Sequence, residues 1–380
     1  TIGKTTRDIK KGEWVHTHNL KSDLDKTSFL EYSIVTVPNI RKKAKLYFEG
    51  YFRKDGFAGI RNDIWIIPAV GCVNNVGKAL ENSFRHISGK QGIDSITCLT
   101  HQYGCSQLGE DLQNITKILC AIAKNPNASG VLFVTLGCEN NTIDLIKREL
   151  KDYDRERILF LECQKEEDEI QKGKELINKL IEKAGKERRE KINIDKLVIG
   201  LKCGGSDALS GVSANPVIGK FTDKAIDFGA SAILTEIPEM FGAEQLLFPR
   251  CKNKEIFDKF EKVINSFKRY YLSNGMPVYE NPSPGNKKGG LTTLEEKSLG
   301  CVAKGGSREI TDIIEYGQRL NSEGLSILSA PGNDLIASTA LVAAGAQIIL
   351  FSTGRGTPYG SIVPTIKISS NNNLYNRKNN

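Results

Sequence analysis

A chain of 380 residues with 39% hydrophobic content is long enough to bury more than one core of ordinary domain size. Its apolar runs, such as residues 64–70, 131–136 and 348–351, fall far short of the roughly 20 residues that cross a bilayer, and the start Thr1-Ile2-Gly3-Lys4 lacks a signal-peptide pattern. A cytoplasmic location with no membrane partner is therefore expected, and the net charge of +8, dispersed among interleaved acids, lacks the basic stripe of a nucleic-acid binder while suiting a small anion.

In chain order, residues 1–47 hold two short turn-bounded stretches and a polar linker with Pro38, too little to fold alone. A neighbouring part is missing here, or the stretch docks on the rest of the chain. From 48 to 191, strand-like runs alternate with helix-like ones: 64–70 then 75–88, 96–100 then 108–124, 131–136 then 141–150. The strands are continuously apolar rather than alternating, which predicts a parallel sheet covered on both faces. Residues 165–191 read as one charged helical crossover, with a lobe boundary near 192. The alternation resumes from 192 to 380, with strands at 197–201, 232–235, 325–329 and 347–352 and helices at 216–228, 254–272 and 336–344. A Gly/Pro/Asn-rich loop, 281–290, interrupts it. The expected fold is α/β: two lobes with mainly parallel sheets flanked by helices, behind the N-terminal stretch.

Nine cysteines, an odd number without repeated spacing, suit reduced thiols rather than a disulfide framework. Four of them follow strands after one or two small or polar residues: Gly71-Cys72, Gly104-Cys105, Gly137-Cys138 and Lys202-Cys203. Ligands of open parallel sheets bind beyond the carboxyl ends of the strands, so these thiols point to the site. The plain alternative is a small buried hydrophobe beside a turn glycine. Cys98, Cys120, Cys163, Cys251 and Cys301 lack the loop context and read as structural.

His101 precedes Cys105 by four residues and Glu139 follows Cys138, so thiol, imidazole and carboxylate can share one crevice. That set suits iron(II) or zinc, and three thiolates can equally hold an iron–sulfur cluster; the residues do not decide between them. The turn Cys203-Gly-Gly-Ser206-Asp207 offers amides and Ser206 to a carboxylate, or else a helix cap. Proline-fixed turns in 281–290 hold Lys287 and Lys288, and Arg355 between glycines suits a two-pronged grip on a carboxylate. Phosphate-binding, dinucleotide-binding and nucleophile-elbow motifs are absent, as is Cys-x-x-Cys.

Taken together, Phe48-Glu-Gly-Tyr-Phe-Arg-Lys-Asp-Gly with Gly59-Ile-Arg-Asn62, His101-Gln-Tyr-Gly-Cys105, Leu136-Gly-Cys-Glu139, Cys203-Gly-Gly-Ser-Asp207 with Ala214-Asn-Pro216, residues 281–297 and Thr353-Gly-Arg-Gly-Thr357 resemble the altronate and galactarate dehydratase family of sugar-acid hydro-lyases. His16-Thr-His-Asn19 and Thr235-Glu-Ile-Pro-Glu-Met-Phe-Gly-Ala-Glu244 look closer to the altronate branch. Residues 1–47 resemble the remnant of the small β-rich domain that precedes the catalytic part in this family, with a linker, and the chain departs from the family at both ends: most of that small domain is missing, and the segment after Tyr375 is a short Arg-Lys-Asn-Asn tail. These departures read as a fragment or an impaired enzyme.

The resemblance implies dehydration of D-altronate to 2-dehydro-3-deoxy-D-gluconate in hexuronate breakdown, with iron(II) as cofactor and manganese(II) or an iron–sulfur cluster as alternatives. Galactarate dehydratase, the catalytic subunit of a sulfolactate sulfo-lyase, and a degenerate sugar-acid-binding fragment are the competing readings. A homo-oligomer is compatible with any of them. Removing a proton beside a carboxylate builds a dianionic enediolate, so the site must supply a cation, positioned donors and a base. The expected metal ligands are Cys72, Cys105 and Cys138. Acid and base are sought among His101, Glu139 and His18, and substrate contacts among Asn62, Ser206, Asp207, Lys287, Arg355 and Thr357.

Overall fold

In the computed structural model, residues 1–24, 32, 33, 35, 37 and 45–378 are described. The linker residue Pro38 and the last two residues of the tail lie outside them. The order of strands and helices is β1 Lys4–Thr5, β2 Leu20–Lys21, β3 Tyr47–Phe52, β4 Ala58–Gly59, β5 Asp63–Pro68, α1 Asn74–Ser83, β6 Ile96–Cys98, α2 Gly109–Ala123, β7 Ala128–Thr135, α3 Ile143–Leu150, β8 Ile158–Glu162, α4 Glu169–Ala184 and β9 Glu190–Asn193. There follow β10 Val198–Cys203, α5 Ala214–Asp227, β11 Ser231–Leu234, α6 Glu244–Leu247, α7 Lys254–Ser273, α8 Pro284–Lys288, α9 Leu294–Val302, β12 Ile310–Ile314, β13 Leu325–Leu328, α10 Asp334–Ala343, β14 Ile348–Thr353, β15 Thr365–Ser369 and α11 Asn372–Arg377.

Two all-parallel sheets carry the fold, as the apolar runs predict: four strands in the order β6-β5-β7-β8 and six in the order β12-β13-β11-β10-β14-β15. The physical reason is visible along β5. Ile64 and Ile66 face one core with Leu80 of α1 and Ile177, Leu180 and Ile181 of α4, whereas Trp65 and Ile67 face another with Ile118, Leu119 and Ile122 of α2. With both faces covered, successive positions must all be apolar, and each buried aliphatic side chain contributes about 1.5–3 kcal/mol.

The core on the α2 side also takes in Leu328, Leu341, Ile349 and Phe351, so the two lobes share one hydrophobic interior. A third core lies within the second lobe, where α5 and α7 pack on β10 and β11. The expected single crossover helix at 165–191 is shorter: α4 stops at Ala184, and β9 pairs antiparallel with β3. Segment 1–24 lies against the second lobe. Ser22 Oγ and the Asp23 N–H donate to Glu295 at 3.0 and 2.7 Å, and Thr293 Oγ1 donates to the Ile2 carbonyl.

Candidate active site

The ends of β10 and β11 deliver a buried charged group. Lys202 and Cys203 close β10, and two residues beyond β11 the backbone of Glu236 turns left-handed, at φ 75°. A non-glycine residue in that region costs on the order of 1–3 kcal/mol and persists only where its surroundings hold it. Here the turn sends the Glu236 carboxylate back onto β10, where Lys202 Nζ and the Cys203 N–H donate to it, the latter at 3.1 Å. Glu239 follows in the same turn. From α9 and the turn after it come Cys301 and Lys304, three residues apart and therefore on one face.

Within this group Lys304 Nζ donates to Cys203 Sγ at 2.9 Å and to Cys301 Sγ at 2.8 Å, and lies 3.3 Å from Glu236. Lys297 Nζ donates to Glu239 at 2.8 Å and to the side-chain oxygens of Asn281 and Asn286 at 2.9 and 3.3 Å. Lys202 also reaches Asp334 at 2.8 Å. Cys203 sits below the usual thiol range because Cys301 donates a hydrogen bond to it, with Lys304 assisting against burial; Cys301 is raised by the same bond and by burial. Burial opposes the charge on Glu239, but Lys297, Lys202 and Lys304 overcome it and hold the carboxyl at about 2. Burial likewise opposes the charge of Lys304, yet the two sulfurs and Glu236 raise it well above an ordinary lysine.

Cys203 and Glu239 open onto a cleft of about 700 Å³, walled by Pro277, residues 279–287, Lys297, Asp334 and Arg355. Lys287 and Arg355 thus meet on one wall, with Arg355 Nη1 donating to the Gly285 carbonyl at 2.9 Å. Ser283 caps the short α8 through a capping box, which puts a helical turn inside the expected loop and fixes Lys287. The N-terminal segment reaches the same wall: His16 Nε2 lies 3.2 Å from the Lys287 carbonyl, and Trp14 stacks on His16 and tilts toward the exposed His18. Ser206 and Asp207 are buried. The Asp207 carboxylate accepts from Ser210, Ser370 and Asn371 at 2.7–2.8 Å, and the Ser206 carbonyl accepts from Asn286. Thr357 lies against Gly205.

The other expected site residues lie in the first lobe. Cys72, Cys105 and Cys138 are exposed in the loops after β5, β6 and β7. His101 has both ring nitrogens engaged, Nε2 2.8 Å from the Pro68 carbonyl and Nδ1 3.2 Å from the Tyr103 N–H, and burial pushes its pKa down. Glu139 accepts the N–H groups of Leu136 and Gly137 at 2.9 and 2.7 Å. Asn62 is fully buried, bonded to Arg53, Asp94, Gly92 and Ala184. None of these residues lines the second-lobe cleft.

Family models for the D-galactarate dehydratase/altronate hydrolase second domain and the D-galactarate/altronate dehydratase C-terminal domain match residues 50–185 and 194–380. The chain is 48% identical to the altronate dehydratase of Bacillus subtilis (strain 168) and 45% identical to that of Escherichia coli (strain K12), in each case over 99% of this chain and 76% of the relative. The chain belongs to the D-galactarate/altronate dehydratase family. A more distant family member, the L-threo-forming galactarate dehydratase of E. coli K12, is 31% identical over 99% of this chain and 75% of its own length.

In this family member, Cys203, Glu236, Glu239 and Cys301 can hold a metal ion: one donor atom from each lies within 4.8 Å of all the others. Tetrahedral metal–sulfur and metal–oxygen bonds imply donor separations of about 3.8 Å between sulfurs and about 3.6 Å between sulfur and oxygen. The sulfurs lie 3.8 Å apart, and Cys203 Sγ lies 3.6 Å from both Glu236 and Glu239. Donor chemistry and spacing therefore fit an ion, which competes with the Lys304 ammonium for one place. Sequence reasoning placed Cys203 on a substrate turn and Cys301 in the core. Glu236-x-x-Glu239 directly after a strand and Cys301-x-x-Lys304 at a helix end were the signals available for this group.

Proposed function

We propose that this chain removes water from D-altronate, giving 2-dehydro-3-deoxy-D-gluconate, at the second-lobe cleft. The observation that carries this reading is the buried two-thiol, two-carboxylate group opening through Cys203 and Glu239 into a cleft whose wall presents Arg355 and Lys287. Those two cations suit the carboxylate of a sugar acid, with Arg355 able to engage both oxygens. Asp334, half-held by Lys202, faces the same space and suits a hydroxyl. Cys203, Glu236, Glu239 and Cys301 would hold iron(II), which supplies a Lewis acid against the charge of the enediolate.

The chain's own groups divide the remaining work. His18, two residues beyond the His16 that lies against Lys287, is the proposed proton carrier at the rim. Ser206, Asp207 and Thr357 brace the wall that carries Arg355, while His101, Glu139 and Asn62 hold first-lobe loops in place. Altronate is favoured over galactarate because the relatives named for altronate are the more similar. A cytoplasmic location is proposed, in keeping with nine unpaired cysteines.

The test is a coupled assay for 2-keto-3-deoxy acid on purified protein supplied anaerobically with iron(II), with altronate, galactarate and sulfolactate in parallel. Turnover of altronate above the other two supports the reading. Absence of turnover with all three refutes it.

A further inference from the structure

Three solvent-facing thiols in the first lobe have no part in the cleft. Cys72, Cys105 and Cys138 stand in the loops that leave β5, β6 and β7, and β5 is hydrogen-bonded between the other two. Parallel strands about 4.8 Å apart release their loops from the same sheet edge. The loops are then tied to one another: the Gly71 N–H donates to the Tyr103 carbonyl at 2.7 Å, and the Asn140 N–H donates to the Cys105 carbonyl at 2.9 Å. The second bond draws together loops from strands that are not neighbours, so the three thiol-bearing loops close around one end of the sheet.

The harder donors beside these thiols are already spent. The ring nitrogens of His101 are engaged with the Pro68 carbonyl at the end of β5 and the Tyr103 N–H, and both oxygens of Glu139 with the backbone N–H groups of its own loop. Sulfur is what remains, and an all-thiolate set favours soft metals and iron–sulfur clusters over hard ions. Among the described residues these thiols do not form a group with donor atoms within 4.8 Å of one another. A single tetrahedral ion wants sulfurs about 3.8 Å apart, whereas a cluster binds each thiolate on a different iron and spreads them. The other three first-lobe cysteines, Cys98, Cys120 and Cys163, are buried and pushed up to about 12, 12 and 11 by that burial, as inert core thiols are.

We infer that Cys72, Cys105 and Cys138 bind a [4Fe–4S] cluster whose fourth iron lacks a protein thiolate. This site goes beyond the dehydratase reading and stands whether or not that reading holds, because its readout is acid-labile sulfide rather than turnover. Protein reconstituted anaerobically with equal amounts of ferrous and ferric iron and with sulfide, which together match the oxidation level of a [4Fe–4S]2+ cluster, then desalted, should carry about four irons and four sulfides per chain. The Cys203→Ser/Cys301→Ser variant should keep that sulfide, while Cys105→Ser and Cys138→Ser should each lose most of it. Serine at an exposed loop position leaves the core untouched, and an unchanged thermal melt of the apo variants checks this. Wild-type protein without acid-labile sulfide overturns the inference. So does a Cys72→Ser/Cys105→Ser/Cys138→Ser variant carrying as much sulfide as wild type, or binding of one iron without sulfide.

Discussion

Replacing Lys297 by methionine tests whether the buried charges are built as a balanced set. The ammonium makes a 2.8 Å ion pair with Glu239 and satisfies Asn281 and Asn286, and both partners of the ion pair are less than 10% exposed. Methionine matches the stem but leaves the Glu239 carboxylate without its nearest cation, and removing one partner of a buried pair costs about 3–5 kcal/mol. Urea unfolding at pH 7 should show that loss. The double variant Lys297→Met/Glu239→Gln should recover about 2 kcal/mol or more, because the uncompensated charge is then gone.

The pH dependence has a definite sign. Glu239 is held at about 2 against an ordinary value of 4.5, so its contribution is complete above pH 4.5 and is lost as pH falls through 2. Without Lys297 that depression shrinks, and the gap between variant and wild type should narrow on acidification. A cost below about 1 kcal/mol, or a double variant no more stable than the single one, would refute the charge-balance argument.

Arg355→Ala and Lys287→Ala should each raise KM for altronate about 10–100-fold, the value of one charge-assisted hydrogen bond, with kcat and thermal stability changed far less. Steady-state kinetics against a melting curve separates these quantities. His101 is kept neutral by burial, so its contribution is present above the unfolded histidine pKa and is lost as pH falls through its lowered folded value. The hydrogen-exchange protection factors of residues 101–105, after correction for the pH dependence of intrinsic exchange, should therefore fall on acidification from about pH 7.5 to 5.5, and His101→Gln should flatten that dependence. A Cβ at Gly219 would collide with the Ala303 carbonyl, directly before Lys304. Gly219→Ala should destabilise by about 1–3 kcal/mol and weaken metal retention, read by unfolding and by metal content after desalting.

The α/β class was legible because its cause is local. Continuous apolar runs such as 64–68 and 131–134 need both strand faces covered, whichever helices cover them, and glycine with cysteine at their ends marked where loops leave the sheets. Lys287 and Arg355 could be singled out for a similar reason, since proline, a capping serine and flanking glycines act within a few residues. The shared interior of the lobes was not legible, because Phe133 and Phe351 meet in one core although more than 200 positions separate them.

The buried group was hidden for the same reason. Cys203, Glu236, Glu239, Lys297, Cys301 and Lys304 come from three chain segments and look like ordinary surface or core residues wherever each stands alone. Burial and mutual neutralisation make them chemical, and those are properties of the packed sheet ends. Local pattern thus determined the sheets, the loops and the cations on the cleft wall. Which thiols meet which carboxylates was decided only by tertiary structure, since long-range packing selects the partners that take buried charge out of water.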